Sequence, residues 1–218
     1  MKNNALAAIL IALVALVCWV VSLRVRSRQY GRLKELVSRG DREGFVSLRD
    51  SNVSRATVSL YARELLTLQL LGNCGTDKEV REQTNTLMRM SLNNSQRSQV
   101  LGTAFEILAS RGDASHCRRL LEEIERVMSP ETAWPYRIYF DIVLQGRACH
   151  RDGLERRLSQ LEGAPARKTR GYIEYLLSKC YEATGESGRA EAMRARAAQD
   201  YAVEPGELER SVDVASYV

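Results

Sequence analysis

The stretch Ala5–Leu23, ALAAILIALVALVCWVVSL, carries no charge in nineteen residues, and the rest of the chain is organised around it. Because a helix rises about 1.5 Å per residue, the stretch would span roughly 28 Å, close to the hydrocarbon thickness of a bilayer. A cleaved signal peptide has a shorter apolar core followed by small residues, whereas this stretch runs directly into Arg24. We therefore expect an uncleaved transmembrane helix, with residues 1–28 as the membrane anchor and its basic flank.

Basic residues on the carboxyl side of the stretch predict its orientation. Lys and Arg resist translocation, so the domain that follows Arg24, Arg26 and Arg28 is expected to face the cytoplasm. Trp19 suits the aromatic belt of the interface, and the three arginines can contact anionic lipid headgroups. The sequence thus predicts a single-pass protein of the inner cell membrane that contacts membrane lipid through its anchor.

The overall composition is typical of a chain with a folded helical domain. Charged residues make up 27% of the chain, aromatic residues make up 6%, and the 218 residues include only four prolines. The net charge of +5 lies partly beside the apolar stretch and is weak evidence for nucleic acid, so no nucleic-acid partner is expected. No two of the five cysteines have the C-x-x-C spacing, and an odd number of thiols fits a reducing compartment.

Apolar residues recur at helical spacing from Tyr30 onward, without a convincing strand pattern. Turn signals lie 32, 40, 40 and 33 residues apart, at Gly40, Gly72, Gly112, Asp152 and Gly185. This spacing predicts an all-α fold, in which the transmembrane helix is followed by an α-solenoid of about five antiparallel helix pairs. The solenoid is expected over residues 29–202 and a carboxy-terminal tail over 203–218.

Periodicity also predicts the extent of individual helices. Residues 54–71 and 132–149 each read as one long helix, because apolar side chains continue through them at helical spacing. Asp152-Gly153 reads as the turn before the next helix.

Five residues of the last predicted hairpin occupy large, aromatic, turn and small positions in a 34-residue register: Leu177, Tyr181, Gly185, Ala190 and Ala197. In this pattern the chain resembles the tetratricopeptide repeat. The resemblance implies stacked helical hairpins in which small residues let paired helices cross closely. It also implies a concave groove, lined by the first helix of each pair, that holds a peptide or a partner's helix.

The residues that line such a groove can be carried over from the resemblance. The fourth and fifth hairpins would present Tyr, Arg and Lys side chains there, and exposed Tyr and Arg are enriched at interfaces. The candidate partner-binding residues are Tyr136, Arg137, Tyr139, Tyr172, Tyr175 and Lys179. In the alternative interpretation, many of these aromatic side chains pack between repeats.

Two Cys/His pairs are the candidate metal ligands. His116-Cys117 begins one predicted helix and Cys149-His150 ends the next, so antiparallel packing could bring them together as a zinc site. Adjacent residues on a helix point about 100° apart, which opposes convergence of all four, and we predict no metal and no cofactor. The sequence contains no phosphate loop, nucleophile elbow or H-E-x-x-H motif, so neither an enzyme nor a small-molecule substrate is expected.

Two functional hypotheses follow from these features. The first is a membrane-anchored cytoplasmic scaffold or adaptor, similar to tetratricopeptide-repeat proteins, that binds a protein partner at the membrane. The second is a structural subunit of a larger membrane complex, in which the anchor helix packs against other transmembrane helices.

Overall fold

The computed structural model describes the backbone of residues 2–161, 165–212 and 214, and the side chains of residues 13–161, 165–209, 211, 212 and 214. Every regular element in these ranges is helical, which confirms the predicted all-α class. The α-helices are α1 Lys2–Arg39, α2 Arg42–Asp50, α3 Asn52–Thr57, α4 Leu60–Cys74, α5 Asp77–Met88, α6 Asn94–Ser110, α7 Ala114–Val127, α8 Pro130–Tyr139, α9 Arg151–Gln160, α10 Arg167–Ala183, α11 Ser187–Tyr201 and α12 Leu208–Ser211.

The chain forms two compact units, residues 1–90 and residues 91–218, whereas the predicted boundaries lay after residues 28 and 202. In the first unit the carboxyl half of α1 packs against α2, α3 and α4. Leu33 is fully buried there and contributes to a core with Phe45 and Leu66. The long first helix is therefore part of the folded unit and not a separate segment.

The prediction of a transmembrane helix is wrong. No helix among the described residues is long and apolar enough to cross a membrane. The apolar residues whose side chains are described, 13–23, extend for roughly 16 Å along the helix axis, about half the thickness of a bilayer core. The helix α1 then continues unbroken into Arg24. The predicted inner-membrane localisation depended on that span and is corrected with it. The membrane-flanking roles predicted for Trp19, Arg24, Arg26 and Arg28 lose the span on which they were based. The side chains of residues 5–12 lie outside the described part.

Local capping signals in the sequence mark real helix boundaries. Gly40 and Gly112 adopt left-handed φ values of +67° and +74°, and each ends a helix where a side chain on the backbone would be strained. Asp41 then accepts a hydrogen bond of 2.9 Å from the Gly44 N–H at the start of α2. Asp113 accepts one of 3.2 Å from the His116 N–H at the start of α7.

The long helix predicted over residues 54–71 is instead two helices. The chain leaves helical geometry at Val58 and Ser59, and the Ser59 side chain accepts a hydrogen bond of 3.3 Å from the Ala62 N–H. This cap begins α4, and it lets α3 turn so that Val58 is buried in the core of the first unit.

The helix predicted over residues 132–149 also ends early. After α8, residues Phe140–Leu144 form a π-helical turn, and Gly146 leaves it with a φ of +65°. Asp152 and Gly153, predicted as a turn, lie in the first turn of α9. The regular spacing of turn signals therefore does not mark five equivalent helix pairs, and the predicted solenoid does not follow from it.

Small residues bring α10 and α11 close together in the second unit. Gly185 joins the two helices with a φ of +78°, while Ala190 and Ala197 are buried. A Cβ atom on Gly171 would lie 3.0 Å from Asp200 Cβ and 3.0 Å from a ring carbon of Tyr201. The hairpin predicted around Gly185 is present, as α10 and α11.

The carboxy-terminal segment packs on this hairpin. Leu208 of α12 is fully buried, Val214 is nearly so, and α12 contacts α11. The Lys179 ammonium on α10 pairs with the Glu209 carboxylate of α12. The described part of the tail is thus a final helical cap.

Candidate functional site

The four tyrosines predicted to line an exposed groove are core residues. Tyr136 and Tyr139 lie on α8, Tyr172 and Tyr175 lie on α10, and none is more than 8% exposed. The ring of Phe105 on α6 contacts Tyr136 edge-on, with 5.3 Å between ring centroids. A side chain buried in this way cannot contact a partner, so the expectation of an exposed aromatic face is wrong.

Hydrogen bonding explains why these polar rings tolerate burial. The Tyr172 hydroxyl donates to the Pro135 carbonyl oxygen at 3.1 Å, which joins α10 to α8. Burial raises the pKa of Tyr139 to about 12 and raises the pKa of Tyr172 well above its usual value. The tyrosines therefore remain neutral and hold the second unit together.

The two cationic residues of the predicted set are already paired within the unit. Arg137 donates two hydrogen bonds of 2.7 Å to the Glu125 carboxylate, a bidentate pair on the surface. Lys179 pairs with Glu182 at 3.4 Å and with Glu209. The predicted groove therefore offers no free cation from these two positions.

The most prominent exposed apolar surface lies on α1. Its large apolar side chains between Leu13 and Leu23 are 39 to 61% exposed, and Trp19 is the most exposed of them. Successive helical residues point about 100° apart, so these side chains cover the whole circumference of the helix. We call this region, residues 13–23, the apolar segment.

A basic collar follows the apolar segment directly. Arg24, Arg26, Arg28 and Arg32 are exposed, and none forms an ion pair with any residue that the structure describes. Farther along the same helix, Leu33 and Val37 are buried in the core of the first unit. One continuous helix thus fixes an apolar surface and a free positive charge to a folded body.

Exposed apolar surface of this kind can bind the apolar surface of another molecule. A helix that is apolar on every face is stable in water only when other apolar groups surround it. The arginines can then pair with carboxylates at the edge of the enclosing surface. The apolar segment and its collar together are the strongest candidate for a binding site outside the buried core.

The two Cys/His pairs have separate environments. Among the described residues, the metal-ligating side chains that come together in a group of three are Asp141, Cys149 and His150, with their ligand atoms within 4.8 Å of one another. His150 Nε2 lies 2.9 Å from Asp141 Oδ2, and Arg147 Nη1 lies 3.7 Å from Asp141 Oδ1. Three such ligands could hold zinc, but the carboxylate already has two cationic or polar neighbours.

His116 and Cys117 lie outside that group. The His116 ring nitrogen Nδ1 lies 2.8 Å from a carboxylate oxygen of Asp113, the cap of α7. Cys117 is fully buried, and burial raises the pKa of its thiol to about 12. His116 therefore contacts the cap of α7, and Cys117 belongs to the core.

No protein-family model, no curated protein and no solved structure matches the chain. The resemblance to the tetratricopeptide repeat thus stays a prediction from the residues of one hairpin.

Sequence reasoning found the apolar segment but missed the Asp141 cluster. The segment is continuous in sequence and is visible from composition alone. Asp141 lies on a π-helical turn, a feature that is frequent at functional sites but has no local sequence signature.

Proposed function

We propose that this chain is a protein-binding subunit that inserts the apolar segment of α1 among the apolar helices of a partner protein. The single observation that carries this proposal is the exposure of every large apolar side chain from Leu13 to Leu23. This function retains the adaptor and subunit hypotheses drawn from the sequence, with the site on α1 in place of the tyrosine groove.

Helices are the favoured surroundings because the segment is apolar on all faces. A flat patch on a partner would cover one face and leave Val14, Val17 or Val21 in water. Two or more helices packed around α1 would cover all faces, and α1 satisfies its own backbone hydrogen bonds. The partner is therefore expected to contribute a helical pair or bundle.

The basic collar specifies the rim of this interface. Arg24, Arg26 and Arg28 would lie where the apolar segment leaves the partner, so acidic side chains are expected there. Such rim pairs contribute to orientation and association rate more than to affinity. The partner chemistry is an apolar helical site bordered by Asp or Glu.

We also propose that α10 and α11 form a hairpin of the tetratricopeptide type. Support comes from Leu177, Tyr181, Ala190 and Ala197, which are buried, and from Gly185, which takes the left-handed conformation of the turn position. The hairpin would stabilise the second unit, since its groove-side tyrosines are internal.

Site-specific photo-crosslinking of the full chain in its own cells tests the interface. A photoreactive phenylalanine at Val20 is expected to give one main adduct, mapped to an apolar helix of another protein with acidic residues close to it. The same probe at Lys78, whose side chain is 79% exposed outside the segment, is the matched control.

A charged substitution sharpens the test. Val17→Asp places a carboxylate in the apolar segment and is expected to reduce the Val20 adduct roughly tenfold, because burying an unpaired charge is costly. Equal adduct yields from Val20 and Lys78 would refute the proposal. A main adduct between two copies of α1 would also overturn it in favour of self-association.

A further inference from the structure

A polar cavity of about 350 Å³ lies between α9, α10 and α11. Its lining residues are Leu158, Arg167, Arg170, Glu174, Arg196, Gln199 and Asp200. Ligand pockets begin at about this size. All of these residues belong to the second unit, so the cavity has no part in the proposed interface on α1.

One side of the cavity is held by an ion pair between neighbouring helices. Arg170 donates two hydrogen bonds of 2.6 Å to the Asp200 carboxylate, whose side chain is only 8% exposed. Arg167 approaches the same carboxylate at 3.6 Å while remaining 64% exposed. A bidentate pair fixes its planar groups, so this wall is preorganised and Arg167 can still turn toward a ligand.

A buried carboxyl group lines the cavity without a partner. Glu174 is 4% exposed, and its Oε2 atom accepts no hydrogen bond from any described residue. Burial and then the Asp200 carboxylate raise the pKa of Glu174 to about 7, against the opposing effects of Arg170 and Arg196. Buried polar atoms normally have a hydrogen-bond partner, so the unpaired oxygen of Glu174 gives the cavity a polar group that a ligand can contact.

The charge around the cavity favours an anion. Three arginines face two carboxyl groups, and Arg196 forms no ion pair with a described residue. Protonation of Glu174 would leave a single carboxylate, that of Asp200, which is already engaged by Arg170. The donors that could face a ligand would then be the guanidinium of Arg196, the exposed guanidinium of Arg167, which could turn away from its 3.6 Å contact with Asp200, and one carboxylic acid.

We propose that this cavity binds a small phosphate monoester, with Arg167 and Arg196 on the phosphate and protonated Glu174 donating a hydrogen bond to a third oxygen. A phosphate group has three terminal oxygens for three donor groups, whereas a carboxylate has two. The volume exceeds that of a phosphate group and leaves space for an attached organic group. Small-molecule binding was not expected from the sequence, and this site is independent of the protein interface.

Calorimetric titration of the full chain with inorganic phosphate tests the site. Phosphate is expected to bind saturably, and Arg196→Ala is expected to weaken it roughly tenfold because a charge-assisted hydrogen bond is lost. Arg189→Ala is the matched control, since it removes the same charge from an exposed position of α11 outside the cavity. Its effect is expected to stay below about twofold.

A second comparison isolates the carboxyl group. Ionised Glu174 repels the ligand, so from about pH 6 to about pH 8 phosphate affinity should fall more steeply for the natural chain than for Glu174→Gln. Comparing both proteins at each pH cancels the titration of phosphate itself. Equal slopes would refute the role of Glu174.

Three other results would overturn the phosphate site. They are no saturable binding, equal weakening by Arg196→Ala and Arg189→Ala, and acetate binding as tightly as phosphate. The first would leave the cavity without this ligand, the second would indicate general surface charge, and the third would indicate a carboxylate site.

Discussion

Gly102 on α6 leaves the space that the Tyr136 hydroxyl of α8 occupies. A Cβ atom at position 102 would lie 2.5 Å from Tyr136 Oη, and the ring cannot move freely because it packs against Phe105. We predict that Gly102→Ala destabilises the protein by about 1–3 kcal/mol through overpacking. Chemical denaturation monitored by circular dichroism measures this change.

Removing the clashing oxygen should restore stability. The double variant Gly102→Ala/Tyr136→Phe is expected to recover most of the loss, because the next ring atom is 3.4 Å from the added Cβ. Gly188→Ala is the control, since its Cβ would meet nothing within 4 Å, and it should be neutral or stabilising by up to about 1 kcal/mol. Failure of the double variant to recover would contradict the steric explanation.

The two ends of α1 should respond differently to substitution. Leu33→Ala truncates a fully buried side chain and is expected to cost about 2–5 kcal/mol, whereas Val17→Asp in the apolar segment should change stability by less than about 0.5 kcal/mol. Urea unfolding of each full-length variant measures both values. A large loss in Val17→Asp would mean that the apolar segment is covered within the chain.

Glu174 should make stability depend on pH. Its carboxyl group ordinarily titrates at 4.5 and in the fold at about 7, so the folded state binds the extra proton between these values. The stability it contributes is fully present below about pH 4.5 and is lost as the pH rises through about 7, by roughly 3 kcal/mol at most.

The amide variant Glu174→Gln tests this dependence, because it keeps the shape of the side chain without the charge. Thermal unfolding at several pH values should show Glu174→Gln more stable than the natural chain at about pH 8, and the difference should shrink toward about pH 5. A difference that is constant with pH would exclude titration of Glu174 as its cause.

A capping box at the start of α5 gives the opposite pH dependence. Thr76 accepts from the Glu79 N–H at 3.3 Å, its own N–H donates to Glu79 Oε2 at 2.8 Å, and Arg42 donates to Glu79 Oε1. The Thr76 and Arg42 hydrogen bonds lower the pKa of Glu79 from 4.5 to about 2. Its stabilising contribution is present above about pH 4.5 and is lost as the pH falls through about 2.

Substitution of the cap residue checks this box at neutral pH. Thr76→Ala is expected to cost about 1 kcal/mol, while Thr86→Ala, at an exposed site in the same helix, should have an effect below about 0.5 kcal/mol. Denaturant unfolding of both variants measures the difference. Equal effects would show that the capping hydrogen bond contributes little.

Helix boundaries were predictable where their chemistry is local. Asp41, Thr76 and Asp113 each accept a hydrogen bond from a backbone N–H three residues onward, so a short window of sequence contains the whole interaction. The break at Ser59 follows the same rule but was hidden, because apolar residues at helical spacing continue on both sides of it.

The environment of the tyrosines was not predictable from such windows. Tyr172 is bonded to Pro135, which is 37 residues away, and the cavity beside Glu174 requires an ion pair between Arg170 and Asp200. Periodicity shows that a side chain lies on an apolar face but not which helix covers that face. Contacts across long sequence separations decide that the candidate tyrosines are core residues and that other residues line a cavity.

Because α1 is one unbroken helix, the apolar segment lies at a fixed distance from the core of the first unit. Trp19 and the buried Leu33 are fourteen residues apart on one helix, so roughly 21 Å of stiff rod separates the apolar segment from the core that holds its other end. Within the described residues of α1, no flexible linker lies between the apolar segment and the core of the first unit. A partner that binds the segment would therefore fix both the distance and the rotation of that unit relative to itself.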